Sequence, residues 1–239
     1  MYQIKNKNNY VIGLLQKARM YNVDNIIALC EGRTIRNRKA LAGRGTLTIF
    51  KDHNGRKVVM KPYLRGGALG VLNPSLYLDV GGKSRSQVEL EWLARMPRLG
   101  VNTPEPLFYV KKEGPGVYQC WLGMYYLEET VPFTDIIHQD FIQAYYIMPL
   151  VCQQVANLIQ ANIWHVDLHP GNVLITGETH VDIVDFDRAT FFQNKNKNAL
   201  AEKYIERWQR ASKKYKLPVE ISKSFRQELY ERISQRYTD

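Results

Sequence analysis

The sequence predicts an α+β protein of two lobes, a strand-rich N-terminal part followed by a mainly helical C-terminal part. Three observations carry this. Short β-branched segments punctuated by turn residues fill the first half. Long amphipathic periods dominate after Pro149. Between them, the aromatic run Tyr118–Leu127 gives way to Glu128–Pro132, a stretch expected to end regular structure. The two parts are accordingly expected at residues 1–130 and 131–239.

Taken in order, Leu47, Ile49 and Phe50 lead into the turn signal Asp52-His53-Asn54-Gly55, and Lys57–Met60 follows as the second arm of a hairpin. Gly43-Arg44-Gly45 marks an earlier turn. Ser84–Met96 reads as a helix, capped by Ser84 or Ser86 and ended by Pro97 and Gly100. Its apolar face is Val88, Leu90, Trp92, Leu93 and Met96. Tyr118–Leu127 suits a strand. Pro149–Gln160 reads as a helix with proline near its start. Val173–Ile175 and Val181–Val184 read as strands around a Gly177 turn, and Ala199–Tyr215 and Ser222–Arg236 as amphipathic helices.

Composition narrows the function. The hydrophobic fraction of 45% excludes bulk disorder, and no apolar run approaches the ~20 residues that span a bilayer. The first residues lack the apolar core and cleavage site of a signal peptide. Cys30, Cys120 and Cys152 form no metal or disulfide pattern, which fits a reducing cytoplasm. The net charge of +10 is uneven: +11 over residues 1–83, −7 over 84–191 and +6 over 192–239. An acidic middle can hold cations, while basic ends suit phosphates or an anionic membrane.

The chemistry concentrates in His165-Val166-Asp167-Leu168-His169-Pro170-Gly171-Asn172 and in Val181-Asp182-Ile183-Val184-Asp185-Phe186-Asp187. A hairpin between them brings Asn172 and Asp185 together as oxygen ligands, which suits Mg²⁺. The pattern resembles the HRDxxxxN and DFG loops of the protein-kinase-like fold. Upstream, Val58-Val59-Met60-Lys61 resembles the VAIK strand, Gly43-Arg44-Gly45 sits where a phosphate-covering loop belongs, and Glu89 is spaced as the helix glutamate that pairs with the lysine. Glu91 points roughly 200° away around the helix. The order of the four motifs is the kinase order.

There are departures. Val166 replaces the arginine of HRD and Asp187 the glycine of DFG; only two glycines remain in the Gly-rich loop, and no APE motif follows. Little room is left for an activation segment, so a compact small-molecule kinase is expected. The finer resemblance is to the lipopolysaccharide kinase group and its 3-deoxy-D-manno-octulosonic acid (Kdo) kinases. It rests on Gly43–Gly45, KPYLRGG at 61–67, LGVNTPEP at 99–106, His165–Asn172 and IVDFDR at 183–188, and covers nearly all the chain after the first thirty residues.

That resemblance implies ATP-dependent phosphorylation of the 4-hydroxyl of Kdo on a lipid A precursor, at the cytoplasmic face of the inner membrane, with the enzyme held peripherally on the anionic surface. It implies Asp167 as the group that handles the acceptor proton. Asn172 and Asp185 are the expected Mg²⁺ ligands, and Gly43, Arg44, Gly45, Lys61 and Glu89 the expected nucleotide-phosphate set. Backbone groups at Leu127, Glu128 and Glu129 face adenine. His165 is expected to be structural. His169 either touches the acceptor or bonds within its loop, Asp187 either binds metal or holds Arg188, and Arg44, Arg65 and Arg85 are open as phosphate contacts. Trp121, Tyr125 and Tyr126 are expected in the core. No nucleic acid or obligate protein partner is expected. A heptose kinase of the same group, a basic nucleic-acid-binding protein and a pseudokinase scaffold are the rival readings; the second leaves the Asp/Asn/Asp set unexplained.

Overall fold

The computed structural model describes residues 2–33, 38–40, 46–64 and 75–235. It is a mixed α+β chain that divides into two compact units. Unit one comprises Met1–Ala94 with Glu105–Tyr126, and unit two Arg95–Pro104 with Leu127–Asp239. The Gly43–Gly45 turn and the Arg65-Gly66-Gly67 segment lie outside the described residues.

Among the described residues, unit one has a sheet of eight strands and two α-helices. Its strands are β1 (Gln3–Lys7), β2 (Tyr10–Leu14), β3 (Arg38–Ala40), β4 (Thr46–Lys51), β5 (Lys57–Pro62), β6 (Tyr77–Leu78), β7 (Pro106–Gly114) and β8 (Val117–Tyr125). The order is β1-β2-β7-β8-β5-β4-β3, with β6 beside β8. All the pairings are antiparallel. The helices are α1 (Val23–Cys30), capped by the Asn22 side chain, and α2 (Arg85–Arg95). Ile26, Ile27 and Leu29 of α1 join Ile12, Leu14, Val58, Met60 and Phe108 in one core.

The strand carrying Lys61 lies inside this sheet, between β4 and β8. Val58, Val59 and Met60 are buried in succession, as befits a strand covered on both faces. The Asp52 carboxylate fixes the β4–β5 turn by accepting from the N–H groups of Asn54 and Arg56 at 2.9 and 2.8 Å. Two glycines admit aromatic rings across the sheet. Gly13 pairs with Tyr109 and Gly123 with Phe108. A Cβ on Gly123 would lie 2.3 Å from the Phe108 ring.

Unit two is built around α4 (Phe141–Gln160), with α3 (Phe133–Gln139), α5 (Lys197–Lys214) and α6 (Val219–Gln235). Its strands are β9 (Thr130–Pro132), β10 (Ile163–Trp164), β11 (Val173–Thr176), β12 (His180–Ile183) and β13 (Thr190–Phe191). They form a three-stranded sheet, β12-β11-β9, and the β10-β13 pair. The rings of Trp208 and Phe225 stack at 4.0 Å between α5 and α6. Arg226 and Glu202 add a two-pronged ion pair on the same helices.

Two expectations need correction. Pro132 does not end regular structure: it pairs with Leu174 on an edge strand, where its missing N–H costs no ladder bond. Pro149 does not lie near a helix start. α4 begins eight residues earlier, where Asp140 caps it by accepting from the Gln143 N–H at 2.9 Å. Burial of Ala144, Ile147, Met148 and Val151 on both sides of the proline outweighs its ~3 kcal/mol penalty.

Candidate active site

Unit one contributes a buried ion pair. Lys61, near the end of β5, directs its Nζ to both carboxylate oxygens of Glu89 on α2, at 3.1 and 2.9 Å. The Glu89 side chain is 2% exposed and that of Lys61 23%. Tyr63 also donates its hydroxyl to Glu89. Glu91 points elsewhere: it binds Lys83 at 2.6 Å and accepts from the Tyr2 hydroxyl. One helix thus divides its two glutamates between opposite sides, as their angular separation dictates. Arg85 lies over the Tyr77 ring at 5.2 Å. Trp121 and Tyr125 are half-buried and pack against the core, with the Arg56 guanidinium 4.0 Å from the centre of the Tyr125 ring.

Unit two carries the catalytic-loop candidates. After α4 and β10, the chain turns through His165–Asn172 into β11, and β11 pairs antiparallel with β12. The Val184 N–H donates to the Asn172 carbonyl at 3.0 Å, extending that ladder by one step. Asp185 therefore follows directly on the residue opposite Asn172. Its φ of 70° is left-handed, uncommon for a residue with a Cβ and typical of functional sites.

The loop is held internally. Asn172 Nδ2 donates to the Asp167 carbonyl at 3.0 Å, and the Asn172 N–H to the His169 carbonyl at 2.8 Å. With Nδ2 so engaged, Oδ1 is the atom the Asn172 side chain offers to a cation. His169 Nδ1 accepts from the Gly171 N–H at 3.0 Å. Burial, and then the Arg207 guanidinium, push the His169 pKa down to about 4. His165 is buried; its Nε2 meets the Val184 carbonyl at 3.0 Å and its ring stands edge-on to Phe186 at 4.5 Å. Burial lowers its pKa, so it is a neutral donor behind the loop.

Three residues not singled out as site candidates also bear on the loop and β12. Arg207 on α5 donates Nη2 to Asp167 Oδ1 at 2.5 Å. Tyr204, one turn earlier on α5, donates to the Ile163 carbonyl at 2.8 Å and accepts from the His165 N–H at 2.9 Å. Asn102 edges β12: its carbonyl accepts from the Ile183 N–H at 3.0 Å and its Nδ2 donates to the Val181 carbonyl at 3.2 Å. Spacing gave no sign of these roles. The signals were the Tyr204/Arg207 interval, which sets the two on one helix face, and the place of Asn102 within LGVNTPEP.

Leu127 leads into a turn at Glu128 and Glu129 in unit two, with Glu129 at φ 54°. Asp187 is half-buried and Arg188 exposed. Among the described residues, no group of three or more His, Cys, Asp or Glu could hold a metal. The Asn172/Asp185 donors still fit Mg²⁺, which takes one or two protein oxygens and completes its shell with water and phosphate. They do not fit zinc, which calls for nitrogen and sulfur ligands.

Unit one thus presents an ion-paired lysine, and unit two a loop aspartate followed by two side chains with oxygen donors. The model of the Lipopolysaccharide kinase (Kdo/WaaP) family matches residues 32–230, and the chain belongs to that family. It is similar to the 3-deoxy-D-manno-octulosonic acid kinase of Vibrio parahaemolyticus serotype O3:K6, at 29% identity over 62% of this chain and 61% of the relative. The enzyme of that name from Vibrio cholerae serotype O1 is 30% identical over 61% of this chain and 62% of its own. The one from Xanthomonas oryzae pv. oryzae is 30% identical over 61% and 58%. The matches thus span about three-fifths of those relatives' length.

Proposed function

We propose that this chain is a kinase of the two-lobed protein-kinase-like fold that transfers the γ-phosphoryl of ATP to the 4-hydroxyl of Kdo on a lipid A precursor. Support comes first from one observation: in the β11–β12 ladder Val184 lies opposite Asn172, so Asp185 is one residue beyond the position facing the end of the loop that carries Asp167. The names of the curated relatives support the choice of acceptor.

In this reading the acceptor oxygen attacks the γ-phosphorus, the bond to the β–γ bridging oxygen breaks, and ADP leaves with the electron pair. Asp167 takes the hydroxyl proton and passes it to solvent. Lys61 engages nucleotide phosphates, and Glu89 holds its ammonium group in place. Gly43–Gly45 cover the phosphates, and backbone groups at Leu127–Glu129 meet adenine. Asn172 and Asp185 hold Mg²⁺, which supplies positive charge against the phosphates. Most of the acceleration then comes from positioning and charge neutralisation.

No described helix is long and apolar enough to cross a membrane. The reading places the chain peripherally on the anionic cytoplasmic face of the inner membrane, through its basic segments. Such binding is screened over ~10 Å at 0.1 M salt, so liposomes should release the protein as salt rises. The deciding experiment follows ATP turnover on Kdo-bearing and heptose-bearing acceptors, with Asp167→Ala alongside. Turnover on the Kdo acceptor, lowered ~10²–10⁴-fold in the variant, is expected. Turnover confined to heptose, or unaffected by the variant, would overturn the assignment.

A further inference from the structure

The catalytic loop carries no lysine or arginine between His165 and Asn172. Its two histidines cannot readily supply a cation. His165 is buried against the Val184 carbonyl, and His169 uses Nδ1 as an acceptor for the Gly171 N–H. Yet Asp167 is in contact with a positive charge. Arg207 reaches it from α5, forty residues downstream, with the two side chains 19% and 28% exposed.

The contact joins Nη2 to Oδ1. A fork-on-fork pair would occupy both carboxylate oxygens. Contact through Oδ1 leaves Oδ2 to receive a proton. The helix that holds Arg207 is itself fixed to the loop, because Tyr204 bridges the Ile163 carbonyl and the His165 N–H. The guanidinium therefore approaches Asp167 from a clamped element.

We propose that Arg207 is a positioning residue for phosphoryl transfer: it fixes the rotamer of Asp167 through Oδ1, turns Oδ2 toward the acceptor hydroxyl, and supplies from α5 the positive charge the loop lacks. This rests on the kinase reading given above. It assigns Arg207 no contact with ATP, so its loss falls on turnover and spares nucleotide binding. Misplacing a reacting group by about 1 Å costs on the order of 10²-fold in rate.

The test compares wild type, Arg207→Met, Arg207→Lys and Arg207→Ala in two assays, phosphorylation of a Kdo-bearing lipid A precursor and slow ATP hydrolysis without acceptor. The Met variant should lose about 10–10²-fold in kcat with KM for ATP within about twofold. Lys should recover part of the loss, and guanidinium ion should restore the Ala variant where an uncharged amide of similar size does not. In an Asp167→Ala background, Arg207→Met should cost little more, since the residue it positions is gone. Wild-type kcat in the Met variant, a loss confined to KM for ATP, or a full multiplicative loss without Asp167 would each overturn the inference. If Arg207→Met fails to fold, Arg207→Lys and guanidinium rescue decide the matter. A wild-type enzyme inactive on the Kdo acceptor would overturn the acceptor assignment instead, and the hydrolysis arm would still read Arg207.

Discussion

Removing Lys61 should be far more damaging to stability than neutralising its partner, because the two ends of the pair differ in burial. The Glu89 side chain is 2% exposed, while that of Lys61 is 23% exposed and can rehydrate its ammonium. Lys61→Met strands a carboxylate that cannot reach water. Breaking a buried pair from one side costs ~3–5 kcal/mol, and the Tyr63 hydroxyl still donating to Glu89 sets the figure near the lower end, about 3 kcal/mol. Glu89→Gln keeps one oxygen to accept from Lys61, its new NH2 group can donate to the Tyr63 hydroxyl, and it should cost about 1 kcal/mol, the scale of one altered hydrogen bond. Once the buried charge is gone, loss of Lys61 is cheap. The double variant should therefore cost about 2 kcal/mol rather than the ~4 that addition gives, a coupling of about 2 kcal/mol. The assay is urea unfolding of the four proteins, followed by circular dichroism and tryptophan fluorescence. Costs that add within about 0.5 kcal/mol, or a Glu89→Gln loss as large as that of Lys61→Met, would refute the reasoning.

Asp185→Asn should weaken nucleotide binding in Mg²⁺ and leave binding in EDTA nearly unchanged; calorimetric titration in both buffers checks this, and equal affinities in Mg²⁺ would remove Asp185 as a ligand. His165 is held below its ordinary pKa, and His169 is pushed down to about 4. Between pH 6.5 and 4 the unfolded chain binds protons that the folded one refuses, so this stability is complete above 6.5 and is lost as pH falls through that window. His169→Gln should flatten the acid side of a stability–pH curve measured by denaturant midpoint. Gly123→Ala should lower stability by about 1–3 kcal/mol, because its Cβ meets a buried Phe108 ring inside the sheet; an unchanged melting temperature would contradict that close approach.

Much of the structure could be read where local pattern and tertiary demand agree. The helix expected at Ser84–Met96 is found at Arg85–Arg95, with the Ser84 hydroxyl accepting from the Gln87 N–H. Gly100, at φ 69°, ends the turn that follows. The Gly177 hairpin and both C-terminal helices fall within three residues of expectation. Two of the elements the pattern does not mark have weak periodicity. β1 is mostly exposed on both faces, so Gln3–Lys7 carries no alternation to detect. α3 has seven residues and Pro132 in place of a polar cap. The site divides the same way: the loop motifs single out Asp167, Asn172 and Asp185 as candidates, but Arg207 flanks the apolar stripe of Tyr204, Ile205 and Trp208 and reads as one more solvated charge. Only the docking of α5 against a distant loop gives it a partner.

That docking also has a consequence for timing. Asp167 leaves the ribosome forty residues ahead of Arg207, and Ile163 forty-one ahead of Tyr204. At ~5–20 residues per second, translation leaves the loop without both restraints for roughly 2–8 s. During that interval β10 and the His165 backbone lack the hydroxyl that later bridges them, and for its first part β13, the other half of the β10 pair, also has yet to emerge. Organisation of the loop is thus a late event on the nascent chain. A chain halted before α5 would contain every residue of the H-x-D-L-x-x-x-N and D-F-D motifs and still lack the element that secures them.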